Sequence, residues 1–550
     1  MNKKLMAMLL CGSVCTMMNA QDAFDVLQLS QSELRGTSRF MSMAGAFGAL
    51  GGDLSTLTQN PGGIGVYRSS DAGITLSLDF NSSDAGSGST NATHFNVNNV
   101  GFVSAFRLDS ETMPNINFGF TFNRLQSYNR HYTGYLSNIH TSMSNYVATW
   151  LNDDGYTGSD LTATNTYDPY FDSYAPWIGI VSYDMPTYDA NGNYDGGAVG
   201  IVQQGRSGMN GLYGTGTTGD ALFEVDERGH ADEYNIAFGG NLLNKLYWGF
   251  DFGITDMDYK TYNYYGETLY NAYIPSTNSL SASITNDNTY ADLSYENQMH
   301  TRGTGMNFKV GLIFRPNNAL RIGAAFHTPT YYNLRDTYIT RACMVGGEYQ
   351  GDYENELYYG EKYSNDGYDY TVEYTIRTPW HLMGSIAGVI GKSGIVSLDY
   401  EYVANQSMRI GDDGGNQYYD VTDRVKSYYK PSHIIRLGGE YRINPSWSLR
   451  AGYSIKTSQV KKEVDDYETP IVTVSNNPAY QYDNTVQYIT CGAGYRYKSF
   501  YADMAYVHKA RKSVYNAFSP VFDSDGYTPN LSADVTDHNN RISLTLGVRF

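Results

Sequence analysis

The sequence predicts an all-β protein, an antiparallel β-barrel that spans a membrane. Apolar and polar residues alternate with a period of two over many segments. Several segments reach about ten residues, the length that a tilted bilayer-crossing strand needs. Tyrosine is abundant, with 52 residues among 550, as expected for aromatic girdles at the two membrane interfaces. The connections alternate between short and long, which is typical of an up-and-down barrel.

The last ten residues show the alternation most clearly, with Arg541, Ser543, Thr545, Gly547 and Arg549 between Ile542, Leu544, Leu546, Val548 and Phe550. Residues 248–254, 320–327 and 447–455 repeat the pattern. A soluble sandwich or propeller is the alternative, because its strands alternate as well. Strands in such folds are usually about 5–6 residues long, shorter than these segments, so the pattern favours a membrane barrel.

We predict 14 strands near residues 71–82, 93–108, 116–128, 231–241, 246–264, 299–315, 320–340, 368–390, 394–409, 432–443, 446–458, 485–498, 499–511 and 538–550. Short turns are predicted at residues 241–245, 316–319, 391–393, 444–445 and 498–499. An even strand number places both chain ends on the short-turn side, which is periplasmic in outer-membrane barrels.

Residues 1–20 have the features of a secretory signal peptide. Lys3 and Lys4 precede an apolar stretch from residue 5 to about residue 18, and Ala20 ends the segment. A lipoprotein signal is the alternative because Cys11 and Cys15 lie here. Neither cysteine follows a small residue, so export without lipidation is favoured.

Composition excludes several classes of function. The net charge of −18 argues against nucleic-acid binding. Only Cys343 and Cys491 lie beyond the signal, too few for a disulfide framework. The mean hydropathy is −0.43, and no later apolar run approaches the ~18 residues of a spanning helix. No catalytic motif such as HExxH, a P-loop or G-x-S-x-G is present. We therefore expect no enzyme activity, no cofactor and no metal; the acidic pairs Asp153-Asp154 and Asp412-Asp413 are expected to be solvated turns.

A segment rich in small residues, residues 36–70, precedes the first predicted strand. Gly51 and Gly52 are expected to break the backbone there. Asp53 is expected to cap a short helix whose first turn is residues 54–56.

The same segment contains Asn60, Pro61 and Gly62. The helix must end at Asn60, because a residue before proline is disfavoured in the α region. Pro61 and Gly62 suit the centre of a type II turn, with a positive φ at Gly62. The local chemistry alone is also consistent with a compact leader before a β domain.

The small residues, the Gly52-Asp53 pair and the Asn60-Pro61-Gly62 motif resemble the N-terminal hatch of the FadL/TodX family of outer-membrane hydrophobic compound transporters. The family motif usually ends in alanine, whereas this chain has Gly62. Residues 311–329 resemble a family hairpin, and residues 229–253 resemble the version found in Bacteroidetes-type bacteria. Fourteen is also the strand number of the family.

The resemblance implies a barrel of residues 71–550 with residues 21–70 as a hatch in the lumen. It implies transport of long-chain fatty acids or similar apolar compounds across the outer membrane of a Gram-negative bacterium. Ligand would pass from the outer loops to an apolar internal pocket, then sideways through a gap made by a kink in the third strand. In that strand, Gly119 is the only candidate kink. A surface adhesin and a general diffusion porin are the alternatives.

The expected partners are an apolar ligand, outer-membrane lipid and lipopolysaccharide, and the barrel-assembly machinery, which would recognise the terminal Phe550. The barrel is expected to be a monomer. The longest loop, residues 129–230, has apolar residues at helical spacing. This face is expected either to pack the loop onto its neighbours or to capture ligand, and it comprises Ile139, Met143, Tyr146, Val147, Trp150 and Leu151.

Overall fold

The computed structural model describes residues 22–86, 88–153, 182–183, 199–200, 211–276, 283–285, 288–350, 353–391, 393–473, 477–522, 527–528 and 530–550. The predicted signal peptide and most of the longest loop lie outside these residues. Within them, no helix is long and apolar enough to cross a bilayer.

Six α-helices lie in the described part of the chain: α1 (Ala23–Leu29), α2 (Ser38–Ser42), α3 (Thr56–Gln59), α4 (Met143–Asp153), α5 (Tyr419–Tyr428) and α6 (Lys462–Asp465). Short 3-10 helices are Pro61–Val66, Ser364–Gly367 and Asn405–Ser407.

The strands are β1 (Asp71–Asp84), β2 (Ser89–Arg107), β3 (Asn115–Ser127), β4 (Arg130–Leu136), β5 (Ser182–Tyr183), β6 (Val199–Gly200), β7 (Thr218–Leu242), β8 (Leu246–Tyr270), β9 (Ile274–Ser276), β10 (Ser283–Thr285), β11 (Thr289–Phe314), β12 (Leu320–His327), β13 (Tyr331–Gln350), β14 (Tyr353–Tyr363), β15 (Tyr370–Arg377), β16 (His381–Ile390), β17 (Gly394–Val403), β18 (Arg409–Asp412), β19 (Ser432–Arg442), β20 (Trp447–Lys456), β21 (Tyr480–Tyr497), β22 (Phe500–Asn516), β23 (Val521–Phe522), β24 (Tyr527–Thr528) and β25 (Ser532–Arg549).

The large sheet closes on itself as a 14-stranded antiparallel barrel, which confirms the predicted fold class. The last strand, β25, pairs with β1 from Asp71↔Arg549 to Asp84↔Thr536. Closure gives every barrel strand a neighbour on both sides, as a sheet in lipid requires. The strands reach further into the long-loop side than the sequence alternation indicated: β7 begins at Thr218 and β11 at Thr289.

Two predicted strands are each divided by a proline. β12 and β13 both pair with β11 and occupy one position in the barrel, with Pro329 between them. β15 and β16 share the next position around Pro379, pairing with β13 and β12 respectively. Proline has no N–H to donate to a ladder, so the ladder is interrupted. The adjacent threonines restore contact, since the Thr330 N–H donates to Thr378 Oγ1 at 2.8 Å.

The barrel is inverted relative to a soluble protein, with polar groups inside and apolar groups outside. On β25, Arg541 is 1% exposed whereas its neighbour Ile542 is 41% exposed. The alternation repeats with Ser543 and Thr545 inside and Leu544 and Leu546 outside. The outward apolar band faces lipid, and the polar interior has to be satisfied by whatever fills the lumen.

Candidate functional site

Residues 22–70, here called the N-terminal segment, lie against the inner face of the barrel. Its main chain and side chains bond to inward-facing groups of β1, β11, β12, β17 and β25. The N–H of Ser38 donates to Thr545 Oγ1 at 2.7 Å, and the N–H of Gly48 donates to Asp399 Oδ2 at 2.8 Å. Almost all residues from Thr37 to Gly65 are buried.

A belt of inward-facing glycines on seven strands lets this segment approach the barrel closely. A Cβ at Gly323 would meet the backbone of Gly48, and one at Gly438 would meet that of Met43. Glycine is the residue that permits such close approach of two backbones. This belt was not predicted, although the sequence carries a signal for it. That signal is a glycine at an inward position of successive strands: Gly239, Gly249, Gly311, Gly323, Gly438, Gly452 and Gly492.

The Asn60-Pro61-Gly62 motif lies against β11. As predicted, helix α3 ends at Gln59, and Asn60 is extended with φ −136°. The Asn60 amide donates to the carbonyls of Gly48 at 2.5 Å and Leu312 at 3.2 Å, while its Oδ1 accepts from the Gly62 N–H at 3.0 Å. Asn60 therefore joins two parts of the segment to one wall strand.

The predicted type II turn is wrong. Pro61 begins the 3-10 helix Pro61–Val66, and Gly62 does not have a positive φ. Glycine is required here for space, because a Cβ at Gly62 would lie 2.9 Å from the backbone of Gly311 and 2.9 Å from the nitrogen of Leu312. The sequence indicated the residue type but not its reason, since the contacting Gly311 lies 249 residues further along the chain.

Gly51 and Gly52 have φ values of +66° and +67°, so the predicted backbone break is confirmed. Asp53 is not the N-cap that was predicted. Helix α3 begins at Thr56 after the cap residue Ser55, which makes no side-chain cap bond. The Asp53 carboxylate instead accepts from the Ser55 N–H at 3.0 Å and from Thr37 Oγ1 at 2.7 Å, joining α3 to the start of α2.

Helix α1 lies in a chamber lined by tyrosines, here called the α1 chamber. The Phe24 ring stacks on Tyr428 at 5.6 Å and contacts Tyr480 at 4.6 Å between centroids. The hydroxyl of Tyr429 donates to the Ala23 carbonyl at 2.9 Å. Apolar side chains of the helix are buried among residues that include Tyr128, Tyr259, Met299, Tyr332, Leu334, Met408 and Tyr482.

Glu33 and Arg35 join the N-terminal segment to the wall through a buried ionic cluster. Arg35 bonds Asp79 Oδ2 at 2.8 Å, and Arg541 bonds Asp79 Oδ1 at 2.9 Å. Glu33 pairs with Lys509. Burial alone would raise the pKa of the Glu33 carboxyl, but Lys509, Arg35 and Arg541 hold that pKa well below its usual value. The cluster is therefore a set of charges that compensate one another.

The ladder between β2 and β3 is interrupted. It runs from Arg107↔Asn115 to Asn99↔Asn123, whereas β2 continues to Ser89 paired with β1. Beyond Asn123, the described contacts across this seam are side-chain bonds, such as the Arg124 guanidinium to Asn96 Oδ1 at 2.8 Å. We call this place the β2–β3 break.

Two bulges flank the β2–β3 break. In β2, Asn98 is the extra residue between Val97 and Asn99 relative to β1. In β3, Leu125 is the extra residue relative to β7. A bulge bends its strand and disturbs the local ladder. The candidate kink residue Gly119 lies in regular pairing on both sides, so the third strand is not disturbed there.

The N-terminal segment contacts both bulges. The Arg35 guanidinium donates to Asn98 Oδ1 at 2.8 Å. Two residues earlier, the Glu33 N–H donates to the Leu125 carbonyl at 2.9 Å. Residues 33–35, here called the strap, therefore bridge the two strands at the point where their own ladder stops.

An internal cavity of about 220 Å³ lies beside the strap and the β2–β3 break. The resemblance implied an apolar pocket, but this lining is mixed. It contains ionisable side chains because the inward positions of the strands are polar, and these include Glu33, Arg35, Arg124, Glu233, Lys309, Glu401, Arg436, Lys456, Asp483, Lys509 and Arg511.

The loop face identified from sequence is buried where it is described. Ile139, Met143 and Tyr146 belong to a core cluster, and Tyr146 stacks on Phe518 at 5.5 Å. The side chains of Trp150 and Leu151 lie outside the described part of the chain. This burial is what packing of the loop onto its neighbours predicts, and ligand capture by this face stays a prediction.

Phe550 is placed where the barrel closes. Its N–H donates to the Ser70 carbonyl at 3.0 Å, and the Ser70 N–H donates back at 2.9 Å, while its ring is 73% exposed.

Comparison with known proteins gives structural neighbours only. No family model matches the chain, and no curated protein has a significantly similar sequence. The fold is similar to a Pseudomonas aeruginosa FadL homologue, with 13% identity, a TM-score of 0.49, and coverage of 95% of this chain and 100% of that one.

The toluene transporters TbuX of Ralstonia pickettii and TodX of Pseudomonas putida are also similar, with 13% and 12% identity and TM-scores of 0.42 and 0.41. Each alignment covers 95% of this chain and 100% of the other.

Proposed function

We propose that the chain is an outer-membrane channel for apolar small molecules, plugged by its N-terminal segment, which acts as the hatch. Long-chain fatty acids and neutral hydrocarbons are the substrate classes that the proposal includes. The short turns would face the periplasm and the long loops the exterior.

The observation that carries the proposal is the strap across the β2–β3 break. A gap in a barrel wall exposes unpaired backbone groups, which is costly in lipid unless something satisfies them. Here the Glu33 N–H pairs the backbone carbonyl of the bulged residue Leu125, and the Arg35 guanidinium bonds the side-chain oxygen of the bulged residue Asn98. Movement of the strap would break both contacts at once, which links displacement of the hatch to lateral release into the membrane.

The α1 chamber supplies the apolar surface that the charged central cavity lacks. Phe24 and Leu27 are buried there among tyrosines and methionines. An apolar ligand that displaced α1 would bury comparable surface, at roughly 25 cal/mol per Å². Because α1 and the strap belong to the same segment, binding in the chamber would loosen the strap.

Uptake and conductance together distinguish the proposed channel from a porin and from an adhesin. Cells that carry the protein in a lipopolysaccharide-containing outer membrane should take up a neutral apolar solute such as toluene faster than cells without it, and the purified protein should show little ion conductance in planar bilayers. Large steady conductance with uptake of polar sugars would instead indicate a porin. Absence of both apolar uptake and conductance would favour an adhesin or structural barrel.

A further inference from the structure

The structure contains a second and larger cavity at the short-turn end of the barrel, here called the vestibule. Its volume is about 770 Å³. The N-terminal segment forms one side of it through Gly51, Gly52 and Tyr67. The turn between β19 and β20 forms the other side. The vestibule therefore lies between the plug and the short-turn mouth of the lumen.

The vestibule is rich in arginine. Glu440 is the one carboxylate among its described lining residues. Seven arginines line it: Arg39, Arg68, Arg321, Arg442, Arg450, Arg496 and Arg549. This local excess of positive charge contrasts with the net charge of −18 of the whole chain. A concave surface lined by charges of one sign focuses the field and concentrates counter-ions.

Three of these arginines already have carboxylate partners. Arg39 and Arg450 share Glu440 at 3.0 and 2.7 Å, and Arg549 bonds Asp71 at 2.9 Å. They hold the plug and the wall together and are not available to a ligand.

The other four arginines are Arg68, Arg321, Arg442 and Arg496. Among the residues that the structure describes, none of the four has a carboxylate within ion-pair distance. Arg321 donates from Nη1 to the Leu50 carbonyl at 2.6 Å, while its buried Nε has no hydrogen-bond partner in the described structure. A buried donor without a partner costs free energy, so this guanidinium would gain from an acceptor in the vestibule.

We propose that the vestibule binds a small oxyanion, a carboxylate or a phosphate, through the unpaired guanidinium groups. Guanidinium binds both groups through paired, charge-assisted hydrogen bonds. Resting on the proposed transport function, we assign this oxyanion to the head group of an amphiphilic acid, which would occupy the periplasmic side of the plug. Free phosphate has the same chemistry and is the other source.

The test is calorimetric titration of the full chain in a non-ionic detergent with decanoate, inorganic phosphate and decanol. The first variant combines Arg442→Gln with Arg496→Gln, because neither side chain has a described ion pair whose loss would disturb the fold. The control combines Arg228→Gln with Arg335→Gln, which removes two exposed arginines elsewhere, paired with Asp226 and Glu373. Heat-modifiable migration in electrophoresis verifies folding of each protein.

Decanoate and phosphate should bind the wild type and the control equally, and bind the vestibule variant at least roughly tenfold more weakly, as expected for loss of charge-assisted bonds. The binding of decanol, which carries no negative charge, should be the same for all three proteins. Phosphate binding without decanoate binding would support the oxyanion site and assign it to the free anion.

Equal anion binding by the wild type and the vestibule variant, or no binding by the wild type, would overturn the proposal. Adding Arg321→Gln provides a second, stronger variant that should weaken binding further. Toluene uptake is measured in parallel as the test of the transport function. If uptake fails while the anion binds, the transport function is wrong and the anion site is supported.

Discussion

The barrel wall and the N-terminal segment are held by different contacts. The wall is joined by backbone ladders such as the 25 register pairs between β8 and β11. The segment is joined by side-chain bonds, by ion pairs at Glu33 and Arg35, and by backbone packed onto glycines. A ladder tolerates most side-chain changes, whereas the segment depends on a few residues. The difference indicates that the segment can be displaced while the wall remains folded.

The largest effect should follow from removing the segment entirely. Deletion of residues 22–70 with the signal retained leaves all wall ladders in place, so we expect a folded barrel with an open lumen. Ion conductance in planar bilayers should rise from near zero to that of a wide channel. A folded deletion variant that conducts no better than wild type would show that these residues do not plug the lumen.

A single methyl group should loosen the plug more selectively. Gly62→Ala places a Cβ 2.9 Å from the rigid backbone of β11, so Asn60 and Pro61 must move away from the wall. Gly62→Val should have a larger effect. Brief openings in single-channel recordings should become more frequent in that order.

The matched control for this change is Gly384→Ala on β16, where a Cβ would meet nothing within 4 Å. It should behave as wild type. If Gly62→Val does so too, the motif does not hold the plug against β11.

Neutralising Glu33 should weaken the strap without removing it. Glu33→Gln leaves Lys509 and Arg541 buried with less compensation, which costs about 3–5 kcal/mol when a buried pair is broken. Amides of residues 33–35 should exchange hydrogen faster while those of β1 and β25 stay protected. Glu373→Gln, which breaks the exposed pair with Arg335, is the control. It should leave hydrogen exchange unchanged both in residues 33–35 and in β1 and β25. Uniform loss of protection in the Glu33 variant would mean that wall and segment unfold together.

The smallest effect on the finished channel is expected from Phe550. Its exposed ring contributes little to the closed barrel, but it terminates the strand that closes it. Deletion should slow the appearance of heat-modifiable protein in the outer membrane, with normal conductance once inserted. Unchanged assembly kinetics would argue against a role for this residue in recognition by the assembly machinery.

The same division of contacts explains what the sequence could predict. Alternation on β25 or β8 is local, and together with the family resemblance it predicted the 14 strands and the short turns. Gly51 and Gly52 were predictable because positive φ is a local property. The reason for Gly62, the partners of Asp53 and the bulges at Asn98 and Leu125 depend on strands far away in the chain. Register between distant strands leaves no periodic signal in either strand alone.

We propose that apolar solute leaves through the β2–β3 break when the strap moves away. Deletion of Leu125 removes the extra residue and lets β3 pair regularly with β7, which straightens the strand beside the break. Deletion of Asn484 is the matched control, because it removes a similar bulge between β21 and β22, away from the break. The measurement is the rate of toluene uptake by cells that carry equal amounts of folded barrel in their outer membrane. We predict that uptake falls to the level of cells without the protein for the Leu125 deletion and is unchanged for the Asn484 deletion. Equal uptake by both deletion variants and wild type would contradict lateral passage at this break.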